Sequence, residues 1–215
     1  SIQRANRLME RQLDLVSSRL LDQDVKERGI QIHYNNEVDT VFETHKETEL
    51  EVRLKTGKII KTNAIVYAIG TIPNIELGRE IKLNCGRGIE VNQHLQSSDP
   101  NIFALGEIAQ YNGWLFGITS AAEQQADVAA KYILGDLGSV YDGSVLMNIL
   151  KFENLDLCSI GNIEIPKGDN SYEQIILTDE RKRYYKKCVV KDDILVGAVL
   201  MGDKKEFAEF KALIE

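Results

Sequence analysis

Cysteine is scarce in this 215-residue chain: Cys85, Cys158 and Cys188 lie far apart and form no C-x-x-C pair. Three dispersed thiols suit neither a disulfide framework nor a zinc site, and they argue against a redox-active disulfide within the chain. Long apolar runs are missing too. Nothing approaches the ~20 residues that a membrane-spanning helix needs. The opening Ser1-Ile2-Gln3-Arg4-Ala5-Asn6-Arg7 lacks the apolar core of a signal peptide, so no membrane partner and a cytoplasmic location are expected. Positive charge is in deficit. With 26 basic against 33 acidic residues, a net charge of −7 and a pI near 5.2, there is no general field to hold a phosphate backbone, and nucleic acid is not an expected partner. No internal repeat or low-complexity stretch is visible. The remaining composition, 43% hydrophobic and 27% charged, is that of an ordinary soluble globular chain of one large or two small domains.

Residues 13–28 place Leu13, Val16, Leu20, Leu21 and Val25 on one helical face, with Gly29 as the stop. Short strands are expected at 30–34, 38–43, 50–54 and 59–60, the last two joined by the Lys55-Thr56-Gly57-Lys58 turn. Residues 63–70 are nearly all apolar and end in Gly70, the pattern of a strand buried on both faces in the middle of a sheet. A second buried strand is expected after the Asp99-Pro100-Asn101 turn, ending at Gly106 beside Glu107, with a brief strand before it at 88–91. Residues 119–134 read as an alanine-rich helix with Thr119 or Ser120 at the N-cap and Gly135 beyond its end. The glycine-rich 135–143 is the expected boundary. Beyond it, strands at 150–163, 174–177, 187–190 and 194–201 suggest an antiparallel sheet. Asp192-Asp193 is its hairpin turn, and a final helix should cover it with Phe207, Phe210 and Leu213.

Two strand-glycine segments hold the chemistry: Ala68-Ile69-Gly70-Thr71-Ile72-Pro73-Asn74 and Asn101-Ile102-Phe103-Ala104-Leu105-Gly106-Glu107. In α/β sheets ligands lie off the carboxyl ends of strands, where glycine admits close approach and a following carboxylate accepts hydroxyl hydrogen bonds. A sugar-alcohol chain suits such a place. Phe116-Gly117-Ile118-Thr119-Ser120 leads into the alanine-rich helix, whose positive end would favour a partly negative ring edge. Turn glycines, a surface acid and a helix that merely caps a sheet would account for the same residues taken singly.

Together these segments resemble the second half of the FAD domain in the pyridine-nucleotide-dependent flavoprotein reductases, the two-dinucleotide-binding-domain family that includes glutathione reductase and rubredoxin reductase. Arg7-Leu8-Met9-Glu10-Arg11-Gln12-Leu13-Asp14, Glu27-Arg28-Gly29-Ile30, the 97–107 segment and Ile194-Leu195-Val196-Gly197-Ala198-Val199-Leu200-Met201-Gly202-Asp203 are most similar to the flavoprotein part of the NAD(P)H nitrite reductase large subunit. Glu107, where most of the wider family has Asp, favours that branch.

The resemblance implies an α/β class: a partial two-dinucleotide-binding-domain fold with a small α+β C-terminal domain. Residues 1–63 would be the closing part of the NAD(P) domain, 64–136 that of the FAD domain, and 144–215 the C-terminal domain, with a core on Val189-Val190 and residues 194–201. It implies FAD and NAD(P)H as cofactors, with Gly106 and Glu107 on the ribityl chain, Gly70 lining the flavin site, and Phe116, Gly117 and Thr119 on the pyrimidine side. Partners would be an iron-sulfur or siroheme domain, or rubredoxin, with a homodimer through the C-terminal domain as one arrangement. Both glycine-rich fingerprints of the family are absent from these 215 residues, since Gly86-Arg87-Gly88 lacks the third glycine and opens no helix. The fragment alone is therefore expected to be inactive, and the acidic ribose-binding position is expected just before Ser1.

A rubredoxin or ferredoxin reductase shares all these motifs, and a non-catalytic dimerisation or docking module is a reading from another class. His33, His45 and His94 sit among polar neighbours and are assigned neither catalysis nor metal. Arg181-Lys182-Arg183 with Lys186-Lys187 reads as a solvated hairpin in preference to a docking patch for an acidic protein. Trp114 and Phe116 read as core more readily than as flavin neighbours.

Overall fold

The structure, a computed structural model, describes residues 1–44, 49–152 and 155–214. The elements in chain order are α1 (Leu15–Glu27), β1 (Val38–Glu43), β2 (Leu50–Leu54), β3 (Ile59–Thr62), α2 (Glu76–Glu80), β4 (Ile89–Val91), β5 (Ala109–Tyr111), β6 (Trp114–Leu115), α3 (Thr119–Ile133), β7 (Met147–Phe152), β8 (Leu155–Gly161), β9 (Tyr172–Asp179), β10 (Tyr184–Lys191), β11 (Ile194–Met201) and α4 (Phe207–Ile214). They form two compact units: Ser1–Ala68 with Met147–Glu215, and Ile69–Leu146.

In the first unit, Asp14 caps α1 by accepting from the Ser17 amide at 3.0 Å, and Gly29 follows the helix at φ +83°. The expected strand at 30–34 is reduced to a parallel bridge between Ile2 and His33, supported by Gln3 N–H to His33 O and His33 N–H to Ser1 O. Strands β1, β2 and β3 form an antiparallel meander that buries Val52 and Leu54. The second sheet, ordered β7-β8-β11-β10-β9, is antiparallel throughout. The run expected as one strand over 150–163 is two, β7 and β8, and the expected turn Asp192-Asp193 joins β10 to β11 with both residues in the left-handed region.

This sheet shares its core with the N-terminal helix. Leu13, Leu20 and Leu21 pack with Leu155, Leu157, Tyr185, Val199 and Met201. At full burial each such side chain contributes about 1.5–3 kcal/mol. Helix α4 lies along β8 and β11, but Leu213 is 66% exposed, so the covering face is Phe207, Phe210 and Ile214. The basic hairpin is only partly solvated. Arg181 and Lys182 are exposed, whereas Arg183 pairs with Asp24 at 2.5 Å and with Glu27, and Lys186 pairs with Glu206 at 2.6 Å. Burial pulls the Lys186 ammonium down, but the Glu206 carboxylate outweighs it and holds the group up at about 12.

In the second unit β4 and β5 run parallel, and Asn112-Gly113 turns β5 back into β6 with both residues at positive φ. Ile75, Leu83, Ile89, Ala104 and Ala109 form one small core, and Leu95, Phe116, Ala121, Ala129 and Tyr141 another. Both buried strands expected here are absent. Residues 63–70, which run from the first unit into the second, form no ladder, with Val66 89% and Ile69 88% exposed, because a segment apolar on both faces needs partners on both sides and among the described residues no strand pairs with it. Phe103 makes a single bridge to Gln96, and Gly106 opens a 3-10 turn in place of ending a strand. The Asp99 turn forms as expected, its carboxylate accepting from the Asn101 amide at 2.9 Å.

Candidate functional site

Gly106 holds φ +78°, a conformation that favours glycine, and its N–H donates to Gln125 Oε1 at 2.6 Å. Gln125 is fully buried on α3, so one side chain fixes the 3-10 turn of residues 106–108 against that helix. Its Nε2 is buried and, among the described residues, has no hydrogen-bond partner. Glu107 is thereby presented at the surface, where its carboxylate accepts the Thr71 hydroxyl hydrogen. A Cβ added to Gly117 would sit 3.6 Å from Glu107 Oε1, so the carboxylate faces a stretch of chain without a side chain.

Thr119 is the first residue of α3, not its cap. Ile118 occupies the N-cap position in extended conformation and offers no side-chain hydrogen bond. The first-turn amides therefore remain available to an acceptor, with the positive end of the helix dipole behind them. Gly70, at φ +98° and with open space around it, precedes Thr71.

The structure thus gathers Gly106, Glu107, Gly117 and Thr119 into one polar patch and ties the segment after Gly70 to it through Thr71. Phe116 differs. Its ring is buried and packs edge-on against Tyr141, with centroids 5.9 Å apart at 86°, so only its backbone belongs to the patch. Trp114 is 63% exposed. Sequence reasoning missed Thr71 and Gln125; the signal for Gln125 was a long polar side chain on the inner face of an alanine-rich helix.

The other cysteines and histidines whose surroundings are described have partners or settings of their own. Burial pushes the Cys158 thiol up to about 11 and that of Cys188 up as well, which keeps both protonated at neutral pH. His94 stacks on Tyr132 at 4.2 Å, and its Nδ1 lies 2.8 Å from Ser139 O. His33 is lowered by burial and by Lys58, and His45 lies outside the described residues. No helix among the described residues is long and apolar enough to cross a membrane.

Residues 1–131 match the Pyridine nucleotide-disulphide oxidoreductase family, and residues 147–215 match the Rubredoxin NAD+ reductase C-terminal domain. The chain is 34% identical over 199 residues to the assimilatory nitrate reductase electron transfer subunit of Bacillus subtilis (strain 168), covering 93% of this chain and 25% of that protein. It is 33% identical over 208 residues to a nitrite reductase [NAD(P)H] of the same organism, covering 97% and 25% respectively. The chain therefore spans about a quarter of the length of these two relatives. A ferredoxin reductase from Rhodopseudomonas palustris shares its fold, with a TM-score of 0.81 at 22% identity over 96% of this chain and 51% of that one.

Proposed function

Because this chain belongs to the pyridine nucleotide-disulphide oxidoreductase family, we propose that it is part of an FAD-dependent NAD(P)H oxidoreductase of the nitrite reductase type, acting in the cytoplasm and delivering electrons to an iron-containing acceptor. One observation carries the reading: Glu107, Gly117, Thr71 and the uncapped start of α3 meet in one patch. The donor set fits FAD. A surface carboxylate suits a polyol hydroxyl, a bare glycine admits a flat ring, and free helix amides suit an electron-rich ring edge. The orphaned Gln125 Nε2 beside Gly106 leaves one donor to spare.

When bound, FAD supplies hydride acceptance from the nicotinamide and the release of electrons one at a time. The chain's own residues bind and orient. Glu107 would exchange the Thr71 hydroxyl for a ribityl hydroxyl. Gly70 and Gly117 would keep side chains out of the ring's space, and residues 116–119 would hold the pyrimidine side by backbone amides and helix dipole. Gln125 would fix Gly106 so that Glu107 is presented without reorganisation. In this reading residues 1–63 close an NAD(P)-binding domain, 64–136 an FAD-binding domain, and 144–215 form the C-terminal domain, through which two copies would associate.

A rubredoxin or ferredoxin reductase is the second reading. The match of residues 147–215 to a rubredoxin reductase domain favours it. Purification of the full-length protein that carries this chain tests both: a yellow enzyme whose flavin band is bleached anaerobically by NADPH or NADH is expected. Reoxidation by nitrite through iron centres on the same polypeptide supports the first reading, and reoxidation only by added rubredoxin or ferredoxin the second. A full-length protein without flavin would refute both in favour of a docking module.

A further inference from the structure

Strand β9 closes one end of the five-stranded sheet, and among the described residues only β10 pairs with it. Its middle, Gln174-Ile175-Ile176-Leu177-Thr178, carries no charge, proline or glycine, and its ladder with β10 runs from Tyr172 to Asp179 without a bulge. Ile175, Ile176 and Leu177 are 66%, 46% and 59% exposed. Soluble proteins ordinarily blunt such an edge with lysine, proline, a bulge or a covering segment, because its free N–H and C=O groups are a template for another strand. A straight, apolar and uncharged edge calls for a strand beside it.

The ladder sets which backbone groups are free. The Asp192 amide donates to Ser171 O at 3.0 Å, so these two residues form a hydrogen-bonded pair and the odd-numbered residues of β9 turn their backbone groups toward β10. Those of Tyr172, Gln174, Ile176 and Thr178 point outward. The charges flanking the edge differ in sign: exposed Asp169 lies before the strand and exposed Arg181 beyond it. The Ser171 hydroxyl and amide hold the Asp169 carboxyl below its ordinary value, so it is charged at neutral pH. A second β9 laid antiparallel fits this arrangement. With a two-fold axis at Ile175, the outward backbone groups meet each other, and Asp169 of each copy falls beside Arg181 of the other. Moving the axis to Gln174 sets Asp169 against Asp179, and moving it to Ile176 sets Glu173 against Asp179, so like charges oppose both neighbouring registers of the same hydrogen-bonding parity.

We infer that the free edge of β9 is the surface through which two copies of this chain associate, by antiparallel pairing of β9 with itself about a two-fold axis at Ile175. The inference rests on the association through residues 144–215 proposed above, and it names the surface. Such an interface is isologous, so one patch serves both copies. A strand of 8 residues on each side is small for a permanent dimer, and association should therefore depend on concentration.

The test uses the full-length holoenzyme. Sedimentation velocity should show a monomer–dimer equilibrium, and Ile175→Lys should shift it at least about tenfold toward monomer by setting two ammonium groups against each other at the axis. Arg181→Glu should weaken association several-fold, and Asp169→Lys added to it should recover part of that loss. Ile175 faces Cys188 across the β9–β10 ladder, so cross-linking requires a Cys188→Ala background. There, Ile175→Cys should form an intermolecular disulfide under mild oxidation, because opposed residues of a non-hydrogen-bonded pair lie about 4.5 Å apart at Cα, within reach of an S–S bond. Leu177→Cys, about 13 Å along the strands from its own copy, should stay reduced. A monomer at every concentration, a dimer untouched by Ile175→Lys, or cross-linking at Leu177 in preference to Ile175 would overturn the inference. Flavin content and reduction by nicotinamide should be equal in all variants. Their absence from the unmodified protein would refute the proposed function, and the cross-link would still decide the edge.

Discussion

Replacing Asp14 by alanine should be among the most damaging single changes in the first unit. The carboxylate accepts three hydrogen bonds, from the Ser17 amide at 3.0 Å, the Ser17 hydroxyl at 2.7 Å and the Tyr185 hydroxyl at 2.5 Å, and it pairs with the Lys187 ammonium at 3.3 Å. Loss of the helix cap costs about 1 kcal/mol. Loss of the charged hydrogen bond from buried Tyr185 adds about 1.5–3 kcal/mol. Lys187, whose side chain is 8% exposed, would keep only Ile163 O at 3.1 Å, so the total should reach about 3–5 kcal/mol, the range for breaking a buried pair.

With an m-value of about 2 kcal/mol/M, the urea midpoint should fall by about 2 M at neutral pH. Circular dichroism during urea titration measures this, and Lys187→Met in the Asp14→Ala background should recover part of the loss. The pH dependence has a definite sign. Burial raises the Asp14 carboxyl, but its hydrogen bonds from Tyr185 and Ser17 and the charge of Lys187 outweigh this and leave it below its ordinary value. Its contribution is therefore full above the unfolded value of about 3.9 and is lost as pH falls through the lower folded value, so the gap between parent and variant should close in acid. A loss near 1 kcal/mol at pH 7 with no acid convergence would show that Asp14 acts only as a cap, and would refute the network.

In the full-length enzyme, Glu107→Ala should weaken FAD retention by about 1.5–3 kcal/mol, roughly tenfold or more, read as flavin released on dilution and ultrafiltration; unchanged occupancy would remove Glu107 from the site. The 215-residue chain purified alone should be colourless, since it holds no glycine fingerprint for a pyrophosphate, and a flavin absorption band would contradict the half-site reading. Limited proteolysis should cut first between residues 135 and 140, where Leu137 is 71% exposed, and spare Tyr141, which is buried with its amide donating to Gln93 O at 2.8 Å. Preferred cutting within residues 187–201 would instead show that the β10–β11 hairpin is not the centre of its sheet.

Local signals read well where a local cause exists. The face of α1, the Asp192-Asp193 turn, the Asp99 turn and the alanine-rich α3 each depend on residues a few positions apart, and each formed where the sequence placed it. Segments 30–34, 63–70 and 101–106 failed for a common reason, because apolar content reports a demand for partners without supplying them. Within the candidate patch, Gly106, Glu107 and the start of α3 were legible as motif residues. Thr71 and Gln125 were not, since their roles depend on contacts 36 and 19 positions away in the chain. The division of the basic hairpin into solvated Arg181 and Lys182 and anchored Arg183 and Lys187 was equally hidden, as their acids lie on α1 and just before it.

The bond between Asp14 and Tyr185 spans 171 positions. On the ribosome, at about 5–20 residues per second, the helix beginning at residue 15 must wait about 10–30 s before the strand that covers it exists. Throughout that interval Leu13, Leu20 and Leu21 present an apolar stripe with no sheet behind it. The intervening residues 69–146 draw on contiguous sequence and can organise meanwhile. Synthesis thus seats this helix long after it is made, and leaves its apolar stripe in need of a chaperone throughout that interval.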